Sequence, residues 1–98
     1  MNITMTRNEG ELIIAIEGRL DTLTSPELEE KLEPALKGVT RLVFDFAQLK
    51  YISSAGLRVL LTAMQIMEEQ GEMIVRNVSS DIMDVFEVTG FADDLNIE

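Results

Sequence analysis

Residues 2–7 alternate polar and apolar positions, with Ile3 and Met5 on one face, as a half-buried strand does. Residues 11–17 repeat the pattern, with Leu12, Ile14 and Ile16 on one face and Ile13 and Ala15 on the other. Asn8-Glu9-Gly10 between them is a short turn carrying glycine, so the two segments are expected to form a hairpin. The periodicity then changes. Thr24-Ser25-Pro26-Glu27 is a helix start: Thr24 or Ser25 offers a cap, proline fits the first turn, and glutamate suits the positive end of the dipole. Leu28, Leu32 and Leu36 follow at a spacing of four and make one apolar stripe. Pro34 lies within that stripe and is expected to loosen the last turn, because the Glu30 carbonyl loses its donor. Gly38 suits the helix end.

Residues 41–46, Arg-Leu-Val-Phe-Asp-Phe, are short, mostly apolar and rich in β-formers, the pattern of a central strand covered on both faces. A longer helix is predicted over residues 54–70, stopped by Gly71. Its apolar residues, from Leu57 to Met67, occupy more than half the circumference. That width predicts burial against the sheet on one side and against a neighbour or partner on the other. Residues 72–78 read as another strand, Ser79-Ser80-Asp81 opens a last helix ending at Gly90, and residues 91–98 read as a docked extension. The order strand, strand, helix, strand, helix, strand, helix predicts an α/β fold. Its sheet is mixed and mostly parallel, with an antiparallel edge from the first strand and helices packed on it. No repeat, linker or low-complexity stretch interrupts the pattern, so residues 1–98 read as one domain.

Composition narrows the chemistry. The chain has no cysteine and no histidine, which excludes disulfides, thiol chemistry, a histidine general base and histidine-ligated zinc. Eight Lys and Arg against 18 Asp and Glu give a net charge of −10, a surface that nucleic acid and anionic membrane would repel. A protein partner is the better expectation. The first ten residues have neither a basic start nor an apolar run, and no stretch approaches the roughly 20 apolar residues of a membrane span, so a cytoplasmic protein is expected. A small enzyme using Asp21, Asp45 and the serines is disfavoured, because no cofactor or phosphate-loop motif accompanies them.

The unusual stretch runs from Asp45 to Leu57 and places Ser53 and Ser54 where a loop ends and a helix begins. The first turn of a helix presents free N–H groups and positive dipole. On position alone, a serine there is first of all a helix cap. Gly56 in that first turn needs a further reason, since glycine costs up to about 1 kcal/mol relative to alanine in a helix; a bare backbone would let another molecule approach closely. Asp21, before the first helix, reads as a turn or capping residue, and Ser79-Ser80 as a cap.

With these residues in place the chain resembles the STAS domain, the fold of bacterial anti-sigma factor antagonists. Gly18-Arg19-Leu20-Asp21 resembles the segment after the family's hairpin. Leu42-Val43-Phe44-Asp45 and Tyr51-Ile52-Ser53-Ser54-Ala55-Gly56-Leu57 resemble its signature strand and helix start, and Gly71 through Ser79 together with Phe86 through Phe91 its closing half. The resemblance implies a non-enzymatic switch without cofactor. Ser54 would be the phosphoacceptor, and Asp21, Ser53, Ala55, Gly56, Leu57 and Arg58 would form the partner-binding face. The implied partners are an anti-sigma factor that is also a serine kinase, and a serine phosphatase. Ser53 stands where the family commonly has aspartate, and Ala55 where it has a second hydroxyl. A second expectation keeps the fold without the switch, as a scaffold subunit of a lipid-type ABC transporter.

Overall fold

The computed structural model describes residues 1–98, in the order β1 (Asn2–Asn8), β2 (Glu11–Leu20), α1 (Ser25–Ala35), β3 (Arg41–Asp45), β4 (Leu49–Ile52), α2 (Ser54–Gln70), β5 (Glu72–Arg76), α3 (Ser80–Thr89) and α4 (Phe91–Asp94). The hairpin forms as expected: β1 pairs antiparallel with β2, Asn8 faces Glu11, and Glu9 adopts a left-handed φ of 57° in the turn. β2 then pairs parallel with β3, and β3 with β5, so the sheet runs β1-β2-β3-β5 with an antiparallel edge.

Strand alternation decides which side chains meet. Leu12, Ile14 and Ile16 of β2 join Leu42 and Phe44 of β3, and Val75 of β5, in one hydrophobic core with the helices. Leu28 and Leu32 of α1 and Leu57, Leu60, Ala63 and Met67 of α2 complete it, with Ile82 and Phe86 of α3. Phe46 stands 5.7 Å from Phe44 and 6.5 Å from Phe86, ring centre to ring centre, and ties α3 to the sheet through tilted aromatic contacts. On the opposite face, Ile13, Val43 and Ile74 are register neighbours, and Val43 is only 1% exposed. Beside them Arg41 bonds both its register mates, Glu11 at 3.0 Å and Glu72 at 2.7 Å. The central strand is therefore buried on both faces, as its composition predicts.

Three expectations change. Residues 49–52 form β4, a strand the hydrophobic pattern does not reveal, because Leu49 and Ile52 point inward while Lys50 and Tyr51 are both exposed. Strand β5 stops at Arg76, since Asn77 turns the chain with a φ of 58°. Thr24 occupies the cap position of α1 without bonding the helix; its hydroxyl instead accepts from Asp21 N–H and donates to the Arg19 carbonyl. Pro34 sits in the last turn of α1, which ends at Ala35 with Leu36 as its C-cap, and Gly38 follows with a φ of 75°.

The broad apolar face of α2 divides between two uses. Its inner residues pack on the sheet, while Met64 and Met67 border a hollow shared with Asp94, Leu95 and Asn96 of the chain's own end. That end docks as expected: Val75 N–H donates to the Asn96 carbonyl and Glu98 N–H to the Val75 carbonyl, each at 2.9 Å. Gly71 is required where α2 turns into β5, because a Cβ there would overlap the Thr40 carbonyl. No helix is long and apolar enough to cross a membrane.

Candidate functional site

The site is built by a change of partner along β2. Its first half, through Ala15, pairs with β3; its last residues, Gly18 to Leu20, pair with β4. The register shifts between Gly18 and Arg19, where Gly18 takes a φ of 99° and donates its N–H to the Gln48 carbonyl at 3.0 Å. Leu20 then lies opposite Ile52, and Ser53 N–H donates to the Leu20 carbonyl at 2.9 Å. The next residues of the two strands, Asp21 and Ser53-Ser54, are thereby brought together, and α2 starts at the same point.

Ser53 has the extended backbone of a helix cap, and its Oγ accepts the Gly56 N–H at 3.4 Å. Ser54 is the first helical residue; it is exposed, and its hydroxyl makes no hydrogen bond within the chain. Capping thus falls to Ser53 and leaves the Ser54 oxygen free. No acidic residue occupies the first turn of α2, so positive dipole and unpaired N–H groups face Ser54 without a built-in counter-charge. Ser79 caps α3 in the same way, accepting from Ile82 N–H at 3.3 Å.

Gly56 and Leu57 correct the expected partner-binding face. Gly56 is buried, and a Cβ on it would stand 2.8 Å from Ile52 Cγ1 and 2.9 Å from the Leu20 carbonyl oxygen. Its bare backbone admits the chain's own strand β2, not another molecule. Leu57 is 5% exposed and belongs to the core. Among the predicted residues Ser54 and Arg58 are exposed, while Asp21, Ser53 and Ala55 are partly so.

Asp21 orders the loop after β2. Its Oδ1 accepts the N–H groups of Leu23 and Thr24 at 3.0 and 3.1 Å, and its Oδ2 lies 3.5 Å from Arg19 Nε. The Thr24 N–H, aided by the Thr24 hydroxyl, Leu23 N–H and Arg19, holds the Asp21 carboxyl below its ordinary value, against a smaller opposing effect of burial. Arg19 also stacks on Tyr51, its guanidinium 4.2 Å from the ring centre. Asp45 does not join this group. It accepts from Asn77 and from Ala47 N–H, each at 3.1 Å, and lies 3.7 Å from Arg76. Burial pushes its carboxyl up, but the Asn77, Ala47 and Arg76 interactions prevail and leave it lowered. No group of three or more acidic side chains is placed to hold a metal ion.

A shallow groove of about 180 Å³ runs between the starts of α1 and α2, bordered by Thr22, Pro26, Glu29, Ala55, Arg58 and Val59. Leu23, in the adjoining loop, is 89% exposed. The sequence reading misses Leu23 and the Arg19–Tyr51 stack. A lone leucine between Asp21 and a helix start was the available signal for the first, whereas the second depends on the unforeseen strand β4.

The model of the STAS domain matches residues 2–98 of the chain. The Bordetella bronchiseptica protein named as an anti-sigma factor antagonist, BtrV, is 40% identical over 93 residues, covering 93% of this chain and 80% of its own length. The anti-sigma-B factor antagonist of Bacillus subtilis is 28% identical over 98 residues, covering 99% of this chain and 90% of its own. Among solved structures, the unphosphorylated form of the Bacillus anti-sigma factor antagonist SpoIIAA superposes with a TM-score of 0.78 at 21% identity, covering 99% of this chain and 87% of that one. The α/β fold with its mixed, mostly parallel sheet and antiparallel edge is thus the fold of these solved structures. The chain belongs to the STAS domain family, and the two relatives described above carry the name of anti-sigma factor antagonists.

Two outcomes follow from this geometry. Ser53→Ala removes the cap of α2 and is expected to lower stability by about 1 kcal/mol, while Ser54→Ala changes it by no more than a few tenths. Urea unfolding of the two variants measures the difference. For Asp21, a folded-state pKa depressed below the ordinary 3.8 means its stabilisation is complete above that value and is lost as pH falls through the lower one. The stability gap between the wild type and Asp21→Ala should therefore be widest at neutral pH and shrink below about pH 4. Urea melts at pH 7 and pH 3 read that change.

Proposed function

We propose that this protein is a phosphorylation-controlled anti-sigma factor antagonist and that Ser54 is its phosphoacceptor. The observation that carries the reading is the exposed Ser54 hydroxyl, released from capping by Ser53, at the positive end of a 17-residue helix. The names of the matching relatives support the partner class, and SpoIIAA, of the same fold, exists in a phosphorylated form.

Unmodified, the protein binds an anti-sigma factor through a face formed by the Asp21 loop with Leu23 and by Ser54, Ala55 and Arg58, and so frees a sigma factor. The anti-sigma factor is itself a serine kinase. It transfers the γ-phosphoryl group of ATP to Ser54 Oγ; ADP leaves, and the hydroxyl proton passes to the kinase. A serine phosphatase hydrolyses the ester and restores the binding form. The catalytic chemistry belongs to those partners.

The effect of the phosphate follows from where it sits. It converts a neutral hydroxyl into a group of about −1.5 to −2 charge. The free protein accommodates that charge, because the helix N-terminus favours anions and Ser54 is already exposed. A partner packed over the same spot must desolvate it beside Asp21. A loss of about 3–4 kcal/mol there weakens binding several-hundred-fold. Ser53 in the place of the family's aspartate fits this account: serine and aspartate cap helices about equally well, so the exchange keeps the cap and removes a negative charge next to the acceptor.

Incubation with ATP and the kinase of the same gene neighbourhood, followed by intact-mass measurement and peptide mapping, tests the reading. One phosphate on Ser54 is expected, with none in Ser54→Ala. Modification of Ser53, Ser79 or Ser80 in its place, or no modification, overturns it.

A further inference from the structure

The cations of this acidic chain are mostly committed. Arg19, Lys31, Arg41 and Arg76 stand in ion pairs, and Arg7 donates to the carbonyls of Ala35 and Lys37. Arg58 is different. It is the only cation of α2, it is exposed, and its guanidinium forms no ion pair, although Glu29 borders the same groove. It lies four residues beyond Ser54, one turn along the helix and on the same side. An acid four residues before a base is the favourable order for such a pair, since each charge then also suits its end of the helix dipole. Asp21 offers no competing claim on Arg58, because its carboxylate is already engaged by Arg19 and two backbone N–H groups.

We propose that Arg58 receives the phosphate on Ser54, forming an ion pair within α2 that exists only in the modified protein. The proposal rests on the reading of Ser54 as phosphoacceptor and adds a second consequence of modification. Phosphorylation adds negative charge and at the same time engages the one unpaired guanidinium of the docking face. Planar, bidentate recognition of phosphate is what a guanidinium does better than an ammonium, so Arg58→Lys should restore the pairing only in part.

The test installs phosphoserine at position 54 during translation, so that no kinase is needed, and follows the ³¹P resonance through a pH titration. Pairing with Arg58 favours the dianion. The second phosphate pKa should therefore lie about 0.3 unit lower in the wild type than in Arg58→Gln, a twofold change in acid constant. Arg58→Lys should fall between them, and Arg7→Gln, remote in sequence and bonded elsewhere, should match the wild type. Equal values in the wild type and Arg58→Gln overturn the proposal and leave Ser54 standing as phosphoacceptor. Failure of any kinase to modify Ser54 would instead overturn the switch, with the ion pair of the installed phosphoserine unaffected.

Discussion

The Leu20 carbonyl is the point on which the site depends. It accepts the Ser53 N–H at 2.9 Å, and the Gly56 backbone packs against it so closely that a Cβ would come within 2.9 Å. One oxygen at the end of β2 thus fixes both the cap residue and the first turn of α2. Every other feature of the site follows from that anchoring. Ser53 is pinned as the cap, Ser54 turns outward as the first helical residue, and the loop beginning at Asp21 starts beside them. β2 can make this contact only because it exchanges β3 for β4 partway along its length, with Gly18 absorbing the register shift.

For the proposed switch the consequence is a division of labour between adjacent hydroxyls. A hydroxyl that caps a helix is tied to a backbone N–H and ill placed to act as an acceptor. Ser53 does that work, and the neighbouring Ser54 is left without an internal partner at a place where the helix dipole welcomes added negative charge. The same helix carries a free guanidinium one turn later. Around this positive end the protein bears a net charge of −10, so the start of α2 is an unusual locality on an acidic surface.

Much of this was legible in the sequence. The alternation in residues 2–17 identified the hairpin, the run from Arg41 to Phe46 identified the central strand, and Gly71 and Gly90 marked the ends of α2 and α3. Ser54 could be singled out from its place at a strand-to-helix junction together with the family resemblance. Three things were not legible. Residues 49–52 have two adjacent exposed positions, a pattern that betrays no strand, because β4 is held by backbone pairing with the end of β2 and by only two inward side chains. The role of Gly56 was misread for the same reason: its neighbours Leu20 and Ile52 are brought together by that unseen pairing. Which of two consecutive serines caps the helix is decided by a single residue of phase, below what periodicity resolves.

The most direct test compares the affinity of the cognate anti-sigma factor for two preparations of this chain, unmodified and carrying phosphoserine at position 54, by titration calorimetry. The account predicts tight binding of the first and an affinity at least about a hundredfold lower for the second, with both equally folded. Equal affinity for the two folded forms would contradict it.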